Sequence, residues 1–219
     1  MIRPEADEVH VSCTFTWDMA EARRLRFAWL EHYERVYIGG PAINPKGPDT
    51  GFVPGRYITP GVTFTTRGCN KECPWCLVPD SEGKLRVIED FADGPILQDN
   101  NFLQAPPAHR ARVYRMLNQK HIVGAYFTGG LEAALVSDEV AEELRGCNVH
   151  EVFLAADTEG AEKPLAKAIK RLSFLRDPSE DRRGEPARAI RVYMLLAYGG
   201  EIMPQAEARL ERVWELGGM

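Results

Sequence analysis

Three of the five cysteines, Cys69, Cys73 and Cys76, fall within eight residues and are spaced CxxxCxxC. Thiolate sulfur is the usual protein ligand of iron–sulfur clusters and a common ligand of zinc. Three thiolates on one short loop can hold three corners of a four-iron, four-sulfur cubane. The fourth iron is then left without a protein ligand, and an open metal position is where a small molecule coordinates. The alternative is a zinc site whose fourth ligand comes from Cys147, His109, His121 or His150. Structural zinc sites are usually built from two separated pairs of ligands, and no second spaced pair is present. Three unrelated buried cysteines would not be expected to crowd into one loop. An odd number of cysteines is poor arithmetic for a disulfide framework and fits a metal site in a reducing compartment. Cys13 and Cys147 read as small buried hydrophobes.

The elements that position this loop are an alternation of β-like runs and amphipathic helices. Residues 9–16 read as a strand, rich in Val, Thr and Phe. Asp18 reads as the N-cap of a helix to about Tyr33, with Glu21 at the capping-box position and Leu25 and Trp29 on one face. Residues 36–38 form a short strand, stopped by Gly39-Gly40-Pro41. Residues 41–60 carry five prolines and three glycines and read as loop, with a soft boundary near residue 60.

Beyond that boundary the pattern is regular. Strands are expected at 62–66, 96–98, 122–127, 152–155 and 190–197. The helix after Pro106-Pro107 runs to about Lys120, proline being tolerated in a first turn. Ser137 caps a helix that Gly146 closes. The next helix carries Leu165, Ile169 and Leu172 on one face. The last starts at Pro204 with Leu210, Val213 and Trp214 inward and Gly217 after its end. Residues 176–189 are highly charged and read as an exposed loop.

Alternating β and α units imply a parallel sheet. Five βα units, against the eight of a full TIM barrel, predict an α/β fold: an open, partial TIM-like barrel over 61–219, with a small N-terminal βαβ segment in 1–60. Ligands gather at the carboxyl ends of such strands. The cysteines, Asp99-Asn100-Asn101, Gly129-Gly130 with Glu132, and Asp157 all fall at those ends, which argues for one site. Each has a rival reading. Asp99 to Asn101 can be a turn cluster, Asp157 a helix cap, and Glu132 a solvated side chain. Tyr193 and Tyr198 can be core or substrate contacts.

A net charge of −5 gives no global case for nucleic acid or an anionic membrane. The basic run Arg23-Arg24-Leu25-Arg26, like Arg110, Arg112 and Arg115, reads as a solvated helix face. No apolar stretch is long enough to cross a bilayer, and the N-terminus lacks the pattern of a signal peptide, so a cytoplasmic location is expected.

The segment Arg67-Gly68-Cys69-Asn70-Lys71-Glu72-Cys73-Pro74-Trp75-Cys76 resembles the signature loop of the radical S-adenosylmethionine (radical SAM) superfamily, with Trp75 as the aromatic residue before the third cysteine. The resemblance extends from about Gly61 to Ala197. More narrowly, the chain looks like members related to the cobalamin-binding group. The features in question are Gly39-Gly40-Pro41-Ala42, Arg67-Gly68-Cys69, Val78-Pro79, Asp99-Asn100-Asn101 and Gly129-Gly130-Leu131-Glu132. The region before the cluster is short and lacks a DxHxxG motif, so no cobalamin is expected.

The resemblance implies that Cys69, Cys73 and Cys76 ligate a [4Fe-4S] cluster whose open iron chelates S-adenosylmethionine, and that reductive cleavage generates a 5′-deoxyadenosyl radical. It also implies an electron donor such as flavodoxin or ferredoxin. Asp99, Asn100 and Asn101 take the place of the element that binds the methionine amino group. Gly129 and Gly130 let backbone approach ligand, and Glu132 lies beside them. Asp157 holds ribose hydroxyls, and Trp75 lies along the adenine or serves only in packing. The substrate is not legible. An open barrel admits completion by a protein partner or a second copy, so a partner-dependent subunit, or a non-catalytic module with structural zinc or cluster, are the competing functions.

Overall fold

A computed structural model describes residues 5–40, 42–43, 59–175 and 189–219. The chain divides into two units, residues 1–58 with 71–84, and residues 59–70 with 85–219. The expected exposed loop, apart from Ala189, and most of the proline-rich segment lie outside the described residues.

In the first unit, β1 (Val9–Ser12) and β2 (Val36–Gly39) pair in parallel, in register from Val9↔Val36 to Ser12↔Gly39. The connection is α1 (Met19–Leu30). Its inward side chains, Ala22, Leu25 and Trp29, pack with Val11, Cys13 and Val36 from the strands. Gly40 has φ +105°, and a Cβ there would stand 2.4 Å from the Cys13 carbonyl oxygen, so only glycine lets the chain leave β2 past Cys13. The capping box expected at Asp18 does not form. Asp18 ends a 3₁₀ turn and is already helical, so its carboxylate makes no cap bond, and Glu21 pairs with Arg24 at 2.6 Å instead. A short helix, α2 (Val78–Glu82), also belongs to this unit.

The second unit is built on a five-stranded parallel sheet. Its strands are β3 (Val62–Thr63), β6 (Ile96–Leu97), β7 (Ala125–Phe127), β8 (Val149–Ala155) and β9 (Ala189–Tyr193), side by side in chain order. Each crossover therefore steps the same way, and strand order never reverses as it does in doubly wound sheets. The rungs Thr63↔Leu97, Leu97↔Phe127, Phe127↔Val152 and Val152↔Ile190 form one fully buried row. The apolar faces of α3 (Pro107–Leu117), α4 (Asp138–Arg145) and α5 (Glu162–Arg171) join that core through Val113, Leu117, Val140, Leu144, Leu165 and Ile169. Burying each such side chain contributes about 1.5–3 kcal/mol. The opposite face of the sheet is only half-buried. It carries Tyr126, the Glu151–Arg191 ion pair at 2.6 Å, and Phe153 with its ring 4.7 Å from that of Tyr193.

Ser137 caps α4 as expected, its Oγ accepting the Val140 N–H at 3.1 Å. Three expectations are corrected. The strand at 62–66 stops at Thr63, and β4 (Thr66–Arg67) pairs antiparallel with β5 (Arg86–Val87). The last strand ends at Tyr193 and the chain turns at Ala197, whose φ is +59°. The final helix, α6 (Met203–Leu216), buries Ala206 and Val213, which lie two turns apart. Leu210 and Trp214, expected inward, fall outside that narrow stripe and are 45% and 72% exposed. No helix among the described residues is long and apolar enough to cross a membrane.

Candidate functional site

The chain enters the cysteine loop through Thr65 and Thr66, and the residue that holds them is Asp99, two positions past the end of β6. The Asp99 carboxylate is 1% exposed. It accepts the Thr65 and Thr66 backbone N–H groups, both at 2.6 Å, and the Thr65 hydroxyl at 2.7 Å. Burial raises its pKa above the ordinary carboxylate value, and these hydrogen bonds oppose the rise. Asp99, expected at the ligand, is therefore engaged inside the protein as an anchor for the loop. His109 on α3 lies in the same buried group. Burial lowers its pKa, opposed by the Asp99 charge and the Thr65 backbone, and its Nε2 has no hydrogen-bond partner.

Beyond β4, Gly68 at φ +78° turns the chain into Cys69. Asn101, also at the end of β6, places its Nδ2 3.8 Å from the Cys69 sulfur and donates to Glu132 Oε2 at 2.9 Å. Its Oδ1 is buried without a partner, and the residue is 6% exposed. Asn101 and Glu132 are thus brought together, while Asn100 is half-buried beside them in sequence. Gln104 joins the same group and was not singled out by its sequence. Its Nε2 donates to Glu132 Oε2 at 3.1 Å, and its Oε1 accepts the Asn70 N–H at 2.8 Å. The available signal was its spacing: positions i and i+3 of a 3₁₀ turn lie on one side, and Asn101 and Gln104 are so spaced around the turn Phe102–Gln104.

The two glycines after β7 differ. A Cβ on Gly129 would stand 2.1 Å from the Asp99 carbonyl oxygen, so its missing side chain admits neighbouring backbone rather than ligand. Gly130, at φ +109°, faces open space. Asp157, past β8, is not the N-cap of α5, which is Ala161; its Oδ1 accepts the Leu195 N–H at 3.1 Å and ties the ends of β8 and β9.

Cys73, Trp75 and Cys76 are described with the first unit, where all three are half-buried. A turn closed by Cys76 N–H to the Cys73 carbonyl at 3.0 Å leads into α2, and Lys84 pairs with Glu72. None of the five cysteines is in a disulfide. Cys13 and Cys147 are buried, and burial pushes the Cys147 thiol up to about 11. Among the described residues, no three His, Cys, Asp or Glu side chains converge on a position that would hold a metal ion. The donor set nevertheless suits an iron–sulfur cluster: three half-buried cysteines outside any disulfide fall within eight residues, with a buried unpartnered carbonyl oxygen on the Asn101 side chain next to the first of them.

Compared with known proteins, the chain matches no family model, no curated protein and no solved structure.

Proposed function

We propose that the chain is a radical S-adenosylmethionine enzyme, with Cys69, Cys73 and Cys76 as the protein ligands of a [4Fe-4S] cluster. The observation that carries the reading is Asn101. Its Nδ2 is directed to Cys69 and Glu132, which leaves its buried Oδ1 as an unused acceptor beside the first cysteine. An ammonium group is the natural donor for such an oxygen, and the nearby Glu132 carboxylate favours a cation. The consecutive order of the five parallel strands supports the open, partial barrel that this reading expects.

Cys69, Cys73 and Cys76 would hold the cluster, which would supply the electron for reductive cleavage of S-adenosylmethionine to methionine and a 5′-deoxyadenosyl radical able to take hydrogen from a substrate. The protein's own part is positional. Asp99 fixes the entry to the loop through Thr65 and Thr66. Asn101 Oδ1 accepts the methionine ammonium group. Asp157 offers its second oxygen to a ribose hydroxyl. Trp75 lies along the adenine, and Gly130 leaves room for ligand at the end of β7. A structural zinc site is less well supported. Its candidate fourth ligand Cys147 is buried in the core, its sulfur accepting from Asn118 Nδ2 at 3.9 Å.

The test is anaerobic reconstitution with iron and sulfide, followed by dithionite and S-adenosylmethionine and chromatography for 5′-deoxyadenosine. The nucleoside is expected to appear, and to vanish in Cys73→Ala. Uptake of zinc with no cluster would end the proposal.

A further inference from the structure

Two carboxamides from one turn flank Cys69. Glu132 Oε2, arriving from the end of β7, receives both NH₂ groups: Asn101 Nδ2 at 2.9 Å and Gln104 Nε2 at 3.1 Å. A single carboxylate oxygen thus fixes which way each amide faces. With its nitrogen held, Gln104 turns its oxygen toward the loop, where it accepts the Asn70 N–H at 2.8 Å and lies 3.7 Å from the Cys69 sulfur. Asn101 Nδ2 lies 3.8 Å from that sulfur. Asn70 is tied a second time, its Oδ1 accepting the Leu85 N–H at 3.1 Å. Two short loops at the carboxyl ends of adjacent strands therefore grip one cysteine and the peptide that follows it.

We infer that Gln104, Asn101 and Glu132 are positioning residues for Cys69: Glu132 orients the two amides, Gln104 clamps the backbone after the cysteine, and Asn101 presents an N–H to the sulfur. The clamp is a property of the folded chain. Its electronic consequence rests on the iron–sulfur reading. An N–H directed at a ligand sulfur withdraws electron density, favours the reduced cluster and raises its potential.

The test has two arms, both on the full-length chain. In the first, the metal-free protein is treated anaerobically with iodoacetamide, and the alkylation rate of each cysteine is read by peptide mass. In Gln104→Ala and Glu132→Ala, Cys69 is expected to react several times faster than in the parent, with Cys73 and Cys76 unchanged and buried Cys147 still protected as the control for folding. Gln104→Leu, which fills a similar space but loses both the acceptor for Asn70 and the donor to Glu132, gives the same result should the alanine variant fail to fold. An unchanged Cys69 rate in these variants overturns the inference. In the second arm, reconstituted Gln104→Ala is expected to hold its cluster about 10-fold more weakly. Asn101→Ala is expected to titrate, by electron paramagnetic resonance, at a more negative midpoint. An unmoved midpoint overturns the role given to the Asn101 N–H. Should the parent take up no cluster while Cys69 alone responds in the first arm, the clamp stands and the iron–sulfur reading falls.

Discussion

Asp99 takes hold of Thr65 twice, accepting its backbone N–H on Oδ1 at 2.6 Å and its hydroxyl on Oδ2 at 2.7 Å. The pairing joins residues 34 apart in sequence and fixes the stretch between β3 and β4, where the chain leaves the sheet for the cysteines. A buried carboxylate with so many donors is an anchor: its cost is desolvation, and its return is a unique path for the loop backbone.

Replacing Asp99 separates these effects. Asp99→Ala leaves the Thr65 and Thr66 N–H groups buried without an acceptor and is expected to destabilise the fold by about 3 kcal/mol in chemical denaturation. Asp99→Asn retains an oxygen for both N–H groups without a buried charge and should stay within about 1 kcal/mol of the parent at neutral pH. Its standing should also improve with pH. The folded-state pKa of Asp99 is raised, so the stability its protonated form contributes is present below the unfolded value and is lost as pH rises through the folded one. An alanine variant as stable as the parent would show that Asp99 anchors nothing.

His109 gives the opposite slope. Its pKa in the folded protein is lowered by burial below the ordinary imidazole value. The neutral ring is favoured on folding, so its contribution is present above the unfolded value and is lost as pH falls below it. The melting temperature of the parent should therefore drop as pH falls through and below the ordinary imidazole value, about 6.5. His109→Gln should flatten that drop. Parallel curves for the two proteins would assign the acid sensitivity to other groups.

The legible part of the architecture was its periodicity: five strands and the helices between them follow from apolar spacing, and Leu165, Ile169 and Leu172 are all buried as their spacing demands. What spacing could not give was the partner of each polar side chain. Asp99 reads as a strand-end turn residue whether it faces ligand or backbone, because only the long-range approach of β3 decides between them. Asp18 illustrates a local failure. A 3₁₀ turn before α1 places it in helical conformation, where its carboxylate cannot cap. Leu210 and Trp214 carry apolar character on a helical face, but α6 packs on the core through Val213 and Leu216, a face that leaves them exposed. Gln104 takes its role only in the fold, where the Glu132 carboxylate from the next loop fixes the direction of its amide.

The close approach behind Gly129 predicts a contrast between neighbours. A Cβ at Gly129 would meet the Asp99 oxygen at 2.1 Å and its nitrogen at 2.7 Å, backbone atoms that cannot swing aside. Gly129→Ala is expected to cost about 3 kcal/mol. Gly130 has open space around it and a φ of +109°, so Gly130→Ala meets backbone strain alone, about 1–2 kcal/mol. Equal losses, measured by thermal melting of the two variants, would remove the packing argument for Gly129.

The buried Oδ1 of Asn101 makes the sharpest functional prediction. A hydrogen bond from a charged group to such an oxygen is worth about 1.5–3 kcal/mol, or about 10- to 100-fold in affinity. Titration calorimetry with S-adenosylmethionine on reconstituted protein should show that loss in Asn101→Ala, at equal iron content. An analogue lacking the amino group should bind the parent more weakly by a similar factor, because the oxygen then stays unpartnered. The decisive comparison is the variant with both ligands: with no acceptor left, Asn101→Ala should hardly distinguish them. If the variant still prefers the amino-bearing ligand as strongly as the parent does, the ammonium group is held elsewhere, and Asn101 serves only the cysteine beside it.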